Sequence, residues 1–150
     1  MRNKVLPRSQ SGLRRPVFSV GPVWRSPFQD GAYPITTPYI VGVHEAYDHG
    51  TPTGTPKLAM RVGVVVYAGW DDRFPVGSAN GRGIYVDVLH EDGWLSRQMH
   101  FSQVMVPVGE WVQQGRWLGL SGNTGLSTGP HSHDAVFDAN GRGIDWMALV

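Results

Sequence analysis

No stretch of this chain sustains a helical period of apolar residues over three turns; short β-prone runs recur instead, each cut off by Gly, Pro, Asn or Asp. They run from Ile35 to Val43, Leu58 to Ala68, Ile84 to His90, Trp94 to Phe101, Arg116 to Ser121, His131 to Phe137 and Ile144 to Trp146. Ile84, Val86 and Val88 alternate with Tyr85 and Asp87, the two-residue period of a strand with one buried face. Twenty Gly and eleven Pro supply the turns. A chain of 150 residues has one core, not two, because a domain of that size buries roughly two thirds of its unfolded surface. The expectation is a single, mainly antiparallel β domain.

The first 35 residues depart from this pattern. They carry Arg2, Lys4, Arg8, Arg14, Arg15 and Arg25 against Asp30 alone, which leaves the rest of the chain net acidic. Residues 1 to 33 therefore read as a basic extended arm and residues 34 to 150 as the folded body. A basic arm can dock on an anionic polymer or remain a solvated tail, and an acidic body argues against nucleic acid as the partner. No apolar run is long enough to span a membrane, and the N-terminus lacks the apolar core of a secretory signal, so action outside a cell would need another route of release. The hexapeptide Ala-Asn-Gly-Arg-Gly-Ile occurs at Ala79 to Ile84 and again at Ala139 to Ile144; both read as Asn-Gly turns, with no chemistry assigned.

With no Cys, disulfides, thiol nucleophiles and cysteine-held zinc are excluded, and any metal must be held by His, Asp or Glu. His131 and His133 stand at i and i+2, which on a strand puts both imidazoles on one face, about 6.5 to 7 Å apart at the backbone. They follow a Gly-rich stretch, Ser121 to Pro130, of the kind that brings backbone close to a ligand. Upstream, His44 and Asp48 can reach one cation from a helical face or across a turn. One His of the pair would complete two nitrogens and one oxygen, leaving a position for water as in catalytic zinc sites. Mg and Ca prefer all-oxygen sites, whereas Mn and Fe accept the same ligand types as zinc.

The segment His44-Glu45-Ala46-Tyr47-Asp48 can also be written as a variant of the helical HExxH motif with Glu45 as base, but the Gly and Pro residues from His49 to Pro56 leave no room for that helix. Glu45 then reads as solvated, His49 as an exposed loop residue and His90 as a turn residue. Trp94, Trp111, Trp117 and Trp146 read as core. Trp70 opens a long insertion, to Gly81, that could frame a groove.

These residues resemble the lysostaphin-type zinc metallopeptidases, which cut peptide cross-links in bacterial cell walls. The resemblance spans about residues 34 to 149. Its most specific part is Ser121 to His133, SGNTGLSTGPHSH, and it extends to Gly42 through Asp48 with Gly54-Thr55-Pro56, to Gly63 through Gly69, and to Val106 through Gly119. It implies a sandwich-like antiparallel sheet of the duplicated hybrid motif kind. It further implies one Zn2+ held by His44, Asp48 and His133, with His100 and His131 catalytic, one as base and the other as oxyanion stabiliser in either order. The implied partners are the peptide stems and bridges of peptidoglycan at the bacterial cell wall. A phage lysin or tail-associated module fits a chain of this kind, and a non-catalytic wall-binding module is the alternative. Departures from the family pattern are Ala46 for Gly, Tyr47 for an aliphatic residue, Gln98 for Tyr, and Asp134-Ala135 for Phe-Glu. A carboxylate at 134 would face a site that is usually apolar, where lack of a partner would be costly.

Overall fold

The computed structural model describes residues 24–29 and 33–150. Among them it holds ten strands: β1 (Ile35–Thr37), β2 (Tyr47–His49), β3 (Pro56–Leu58), β4 (Gly63–Trp70), β5 (Ile84–Leu89), β6 (Leu95–Val104), β7 (Trp111–Val112), β8 (Trp117–Ser121), β9 (Ser132–Phe137) and β10 (Gly143–Ile144). A short 3-10 turn, Trp146–Leu149, follows. The strands run in the order β1-β2-β9-β6-β5-β4-β7, with β10 on β9 and β3 on β8, which in turn joins β6. Every pairing is antiparallel. The expected mainly β architecture is what the chain adopts.

Individual elements differ from the sequence reading in physically simple ways. The first strand stops at Thr37 because Pro38 has no N–H to give a ladder. The run from Leu58 to Ala68 is two strands, since the Ala59 N–H turns away to Arg116 and its carbonyl accepts from Gly115. The segment from Tyr47 to His49 is a strand, where a turn or helical face was expected around Asp48.

Strand β6 organises the sheet. Its first half pairs with β9, ending at Met99 opposite His133, and its second half pairs with β8, starting at Phe101 opposite Ser121. Between them lies His100, with φ of 62°, the one non-glycine residue at positive φ among those described. Against β5, Phe101 pairs with Ile84 and Gln98 with Val86, so Met99 and His100 together face Tyr85 alone. That is a β-bulge, which bends a strand and re-aims a side chain.

Ala59, Val65, Val86, Val88, Phe101, Val106, Val112 and Leu118 fill the space between β4-β5 and β8. A second core joins Trp24, Met60, Val136 and Trp146. Trp24 and Phe28, within the segment read as an arm, are buried, and the Arg25 N–H donates to Met60 O at 3.0 Å. The rest of that segment up to residue 23 lies outside the described residues. Trp111 and Trp117, read as core, are 42% and 40% exposed: each is the first residue of its strand, with its side chain on the solvent face.

Polar groups occupy the interior beneath β9. Lys57 and Asp134, both fully buried, approach to 3.2 Å, so the carboxylate at 134 does have a partner. The Lys57 ammonium also donates to Met99 O at 3.0 Å and lies 4.3 Å from the Phe101 ring centre. Ser132 donates to Asp134 at 2.7 Å, and Gln98 donates to Leu58 O at 2.8 Å. Burial pushes the Asp134 carboxyl up, but Lys57, His49 and Ser132 outweigh it and hold it below the ordinary range. His49, read as exposed, and His90, read as a turn residue, are both buried. His49 packs between Phe28 and Trp146, on the Asp134 side of β2. His90 donates from Nδ1 to Val62 O at 2.8 Å and accepts at Nε2 from Ser96 at 3.1 Å, filling a closed polar slot.

Lys57→Met leaves a buried carboxylate unpaired and should cost about 3 to 5 kcal/mol in chelator-treated protein, whereas Lys57→Met/Asp134→Leu should recover most of that loss. Urea unfolding of the two single variants and the pair measures it, and a double variant no better than Lys57→Met would show that the ion pair is not the cause. Burial, partly offset by the Val62 carbonyl, lowers the His90 pKa to about 4. The unfolded chain therefore binds the proton first, and stability present above about pH 6.5 is lost as pH falls toward 4. His90→Asn should flatten the fall of the urea midpoint across that window by close to one proton; an unchanged slope would assign the loss elsewhere.

Candidate metal centre

Strands β2, β6 and β9 put three residues in register on one face: Asp48 opposite His133, and His133 opposite Met99. His44 enters from the turn before β2, where its N–H and carbonyl both bond to Ile40. His44, Asp48 and His133 each offer a ligand atom within 4.8 Å of the others. The Nε2 of His44 is 3.2 Å from Asp48 Oδ2, and the Nδ1 of His133 is 2.7 Å from Asp48 Oδ1. Their spacing in the chain is thus realised across a turn and a strand pair, without a helix.

The tautomers say what this cluster lacks. The His44 Nδ1 is 3.0 Å from Pro38 O, and a carbonyl only accepts, so Nδ1 carries the hydrogen. Nε2 is then a lone pair aimed at a carboxylate, buried and without a hydrogen-bond partner. Two electron-pair donors facing each other repel, and a cation between them turns the arrangement favourable. Burial pushes the Asp48 carboxyl up, but the hydrogen bond and charge of His133 lead the interactions that overcome it and hold it at about 2. The carboxylate is ionised and available. Two imidazoles and one carboxylate fit a four-coordinate Zn2+ with one open position, and do not fit an all-oxygen cation.

His100 and His131 stand beside this group, with ring centres 4.6 Å apart, and His100 is 5.9 Å from His133. The His100 Nδ1–H donates to Thr124 O at 2.7 Å and the His131 Nδ1–H to Gly129 O at 2.9 Å, leaving both Nε2 atoms bare. His131 Nε2 lies 3.9 Å from Asp48. Burial, offset in part by the Thr124 carbonyl, lowers the His100 pKa to about 4, so its ring is neutral at neutral pH. All five residues picked out from the sequence therefore meet on one face.

The supporting residues were not picked out. Thr124, in the Gly-rich loop, accepts from Ile84 N at 3.0 Å and donates to Phe101 O at 2.7 Å, tying that loop to the bulge. Leu126 N donates to Gly81 O at 2.8 Å, and Gly125 sits against Gly83, so the Gly-rich loop and the insertion after Trp70 are laced together. Ser127 donates to Gly129 O at 2.9 Å beside His131. Only their position in or beside the Gly-rich motif hinted at these roles. Glu45, read as solvated, is half-buried against Gly143, and its carboxylate accepts from Gly42 N at 3.3 Å.

Comparison with known proteins finds peptidases that match most of the described chain. A model for Peptidase family M23 matches residues 42–146. The peptidoglycan DD-endopeptidase ShyA of Vibrio cholerae is 37% identical over 107 residues, covering 71% of this chain and 23% of that protein. The solved catalytic domain of the antimicrobial peptidase lysostaphin from Staphylococcus simulans superposes with a TM-score of 0.65 at 31% identity, over 77% of this chain and 90% of that one. A zinc containing peptidase from Vibrio cholerae gives a TM-score of 0.73 at 26% identity, over 85% and 40%. This chain spans 23%, 21% and 23% of three of the curated relatives it matches.

Titration with Zn2+ against a chromophoric chelator should show one tight site per chain. His44→Ala, Asp48→Asn and His133→Ala should each weaken it by more than about 100-fold, beyond the range typical of losing an outer partner. His100→Ala and His131→Ala should retain it. Equal affinity in all five variants would place the metal elsewhere.

Proposed function

This chain belongs to peptidase family M23, and on that footing we propose that it is a zinc-dependent endopeptidase that hydrolyses peptide cross-links of bacterial peptidoglycan. The reading is carried by one observation: an orphaned His44 Nε2 and the Asp48 carboxylate converge with His133 beside two histidines whose Nε2 atoms are bare. His44, Asp48 and His133 would hold the zinc, which when bound acts as a Lewis acid and brings the pKa of water near neutrality.

The remaining work falls to the chain's own groups. His100 and His131 divide proton transfer and oxyanion stabilisation: a neutral Nε2 accepts the proton that the attacking water loses, and an Nε2–H donates to the developing oxyanion or returns a proton to the leaving amine. Their Nδ1 hydrogens, fixed on Thr124 O and Gly129 O, leave Nε2 as the working nitrogen of each ring, bare in the one that acts as base and carrying an added proton in the one that donates. The Glu45 carboxylate is engaged with Gly42 N, and the base is drawn from the two histidines. We assign residues 34 to 150 as the peptidase body, with residues 24–29 seated against Met60 and Trp146, and the site of action as the cell wall.

Purified walls incubated with the zinc-loaded chain should release new amine termini, and sequencing those termini identifies the bond. His100→Ala and His131→Ala should each lower the rate by about 100-fold or more while keeping zinc bound. A chain that holds zinc and releases no amines from walls of any bridge chemistry would be a binding module instead.

A further inference from the structure

The two copies of Ala-Asn-Gly-Arg-Gly-Ile have different fates. In the second, between β9 and β10, Arg142 is 3.3 Å from Asp138 with 78% of its side chain exposed, and Asp138 also accepts from the backbone of Asn140 and Arg142. That arginine serves its own turn. In the first, Arg82 is clamped by its backbone. Its N–H donates to Asp71 Oδ2 at 3.0 Å, and its carbonyl accepts the His100 N–H at 3.1 Å, so it is tied directly to the bulge. It stands between Gly81 (φ 69°) and Gly83 (φ 64°). A Cβ on Gly83 would come within 2.3 Å of the Thr124 carbonyl carbon, so only glycine lets this segment pass so close to the Gly-rich loop.

The side chain of Arg82 then extends over Tyr85, with Cζ 5.1 Å from the ring centre and Nη1 3.5 Å from the hydroxyl. Val86 pairs with Gln98 on the interior face, so Tyr85 points to the opposite face, the one that carries Asp48, His133 and Met99. Two neighbouring arginines are already neutralised. Arg97 forks onto Asp87 at 2.7 and 2.6 Å, and Arg73 onto Asp71 at 2.8 and 2.6 Å. Arg82 has no ion-pair partner among the described residues. A guanidinium stacked on an aromatic ring, held on a fixed backbone and left without an anion, is preorganised for a planar carboxylate.

We propose that Arg82 is a specificity-determining residue that pairs with a free carboxylate on the peptide substrate close to the bond that is cut. This rests on the peptidase reading above and narrows it. The substrate class is then acidic peptide stems that carry free carboxylates beside the cross-link, rather than neutral glycine bridges, which offer Arg82 no anion.

The test uses a stem peptide whose scissile amide is replaced by a ketomethylene group, made as the free acid and as the carboxamide and titrated calorimetrically into the zinc-loaded chain. The wild type should bind the acid about tenfold more tightly, the factor expected for one charge-assisted pair. In Arg82→Gln the ratio should fall to about one, in Arg82→Lys part should survive, and in Arg142→Gln it should persist in full. A ratio equal in wild type and Arg82→Gln, whether ten or one, overturns the proposal, and so does failure of the wild type to bind either peptide. Because the peptides cannot be cleaved, wall hydrolysis measured separately reports on the peptidase reading. Intact walls beside a tenfold ratio would retire that reading and leave the carboxylate site standing.

Discussion

Strand β6 has to belong to two ladders, and the handover between them falls on a single residue. Up to Met99 it is a neighbour of β9, and from Phe101 it is a neighbour of β8. A regular strand cannot make that change, so one residue is left over, and it is His100, in the left-handed region where side chains are disfavoured. The contacts around it hold this conformation in place: Lys57 on the preceding carbonyl, Arg82 O on its N–H, and Thr124 on its ring and on the next carbonyl. A backbone conformation of this cost survives where its surroundings over-determine it, and such places cluster at working sites.

The two faces of β9 separate two kinds of electrostatics. On the outer face, carboxylate and imidazole lone pairs crowd together without enough hydrogens among them, a shortage that a divalent cation relieves. On the inner face the charges balance in place, Lys57 against Asp134, with Ser132 adding a hydroxyl. Alternation along the strand keeps the two sets apart, since His133 and Asp134 are adjacent in sequence and point in opposite directions. The inner pair leaves the outer carboxylate, Asp48, for the centre, and its ammonium fastens the strand that carries His100.

Much of this was legible in the sequence, and the reasons differ residue by residue. The β architecture follows from short runs between turn residues, and His44, Asp48, His131 and His133 from His and Asp spacings next to a Gly-rich segment, whereas His100 came only with the family resemblance. What escaped was whatever depends on partners far along the chain. A three-residue strand holding Tyr, Asp and His has no period to detect, so β2 was invisible and His49 looked exposed. Lys57 and Asp134 lie far apart in the sequence and each alone looks misplaced in an apolar setting. His90 looked like a turn residue because only the fold reveals Val62 and Ser96 on either side of its ring. Exposed Trp111 and Trp117 show the opposite error, in which size was taken for burial.

The lacing of the Gly-rich loop to the insertion after Trp70 bears on how a site of this kind diversifies. Thr124, Leu126 and Gly125 grip Ile84, Gly81 and Gly83, so neither loop can be lengthened or recut at these points without disturbing the other. Variation in one loop would have to be matched in its neighbour, and a graft that exchanged a single loop would import half of a joint. The exchangeable unit in such a scaffold is the pair of loops taken together.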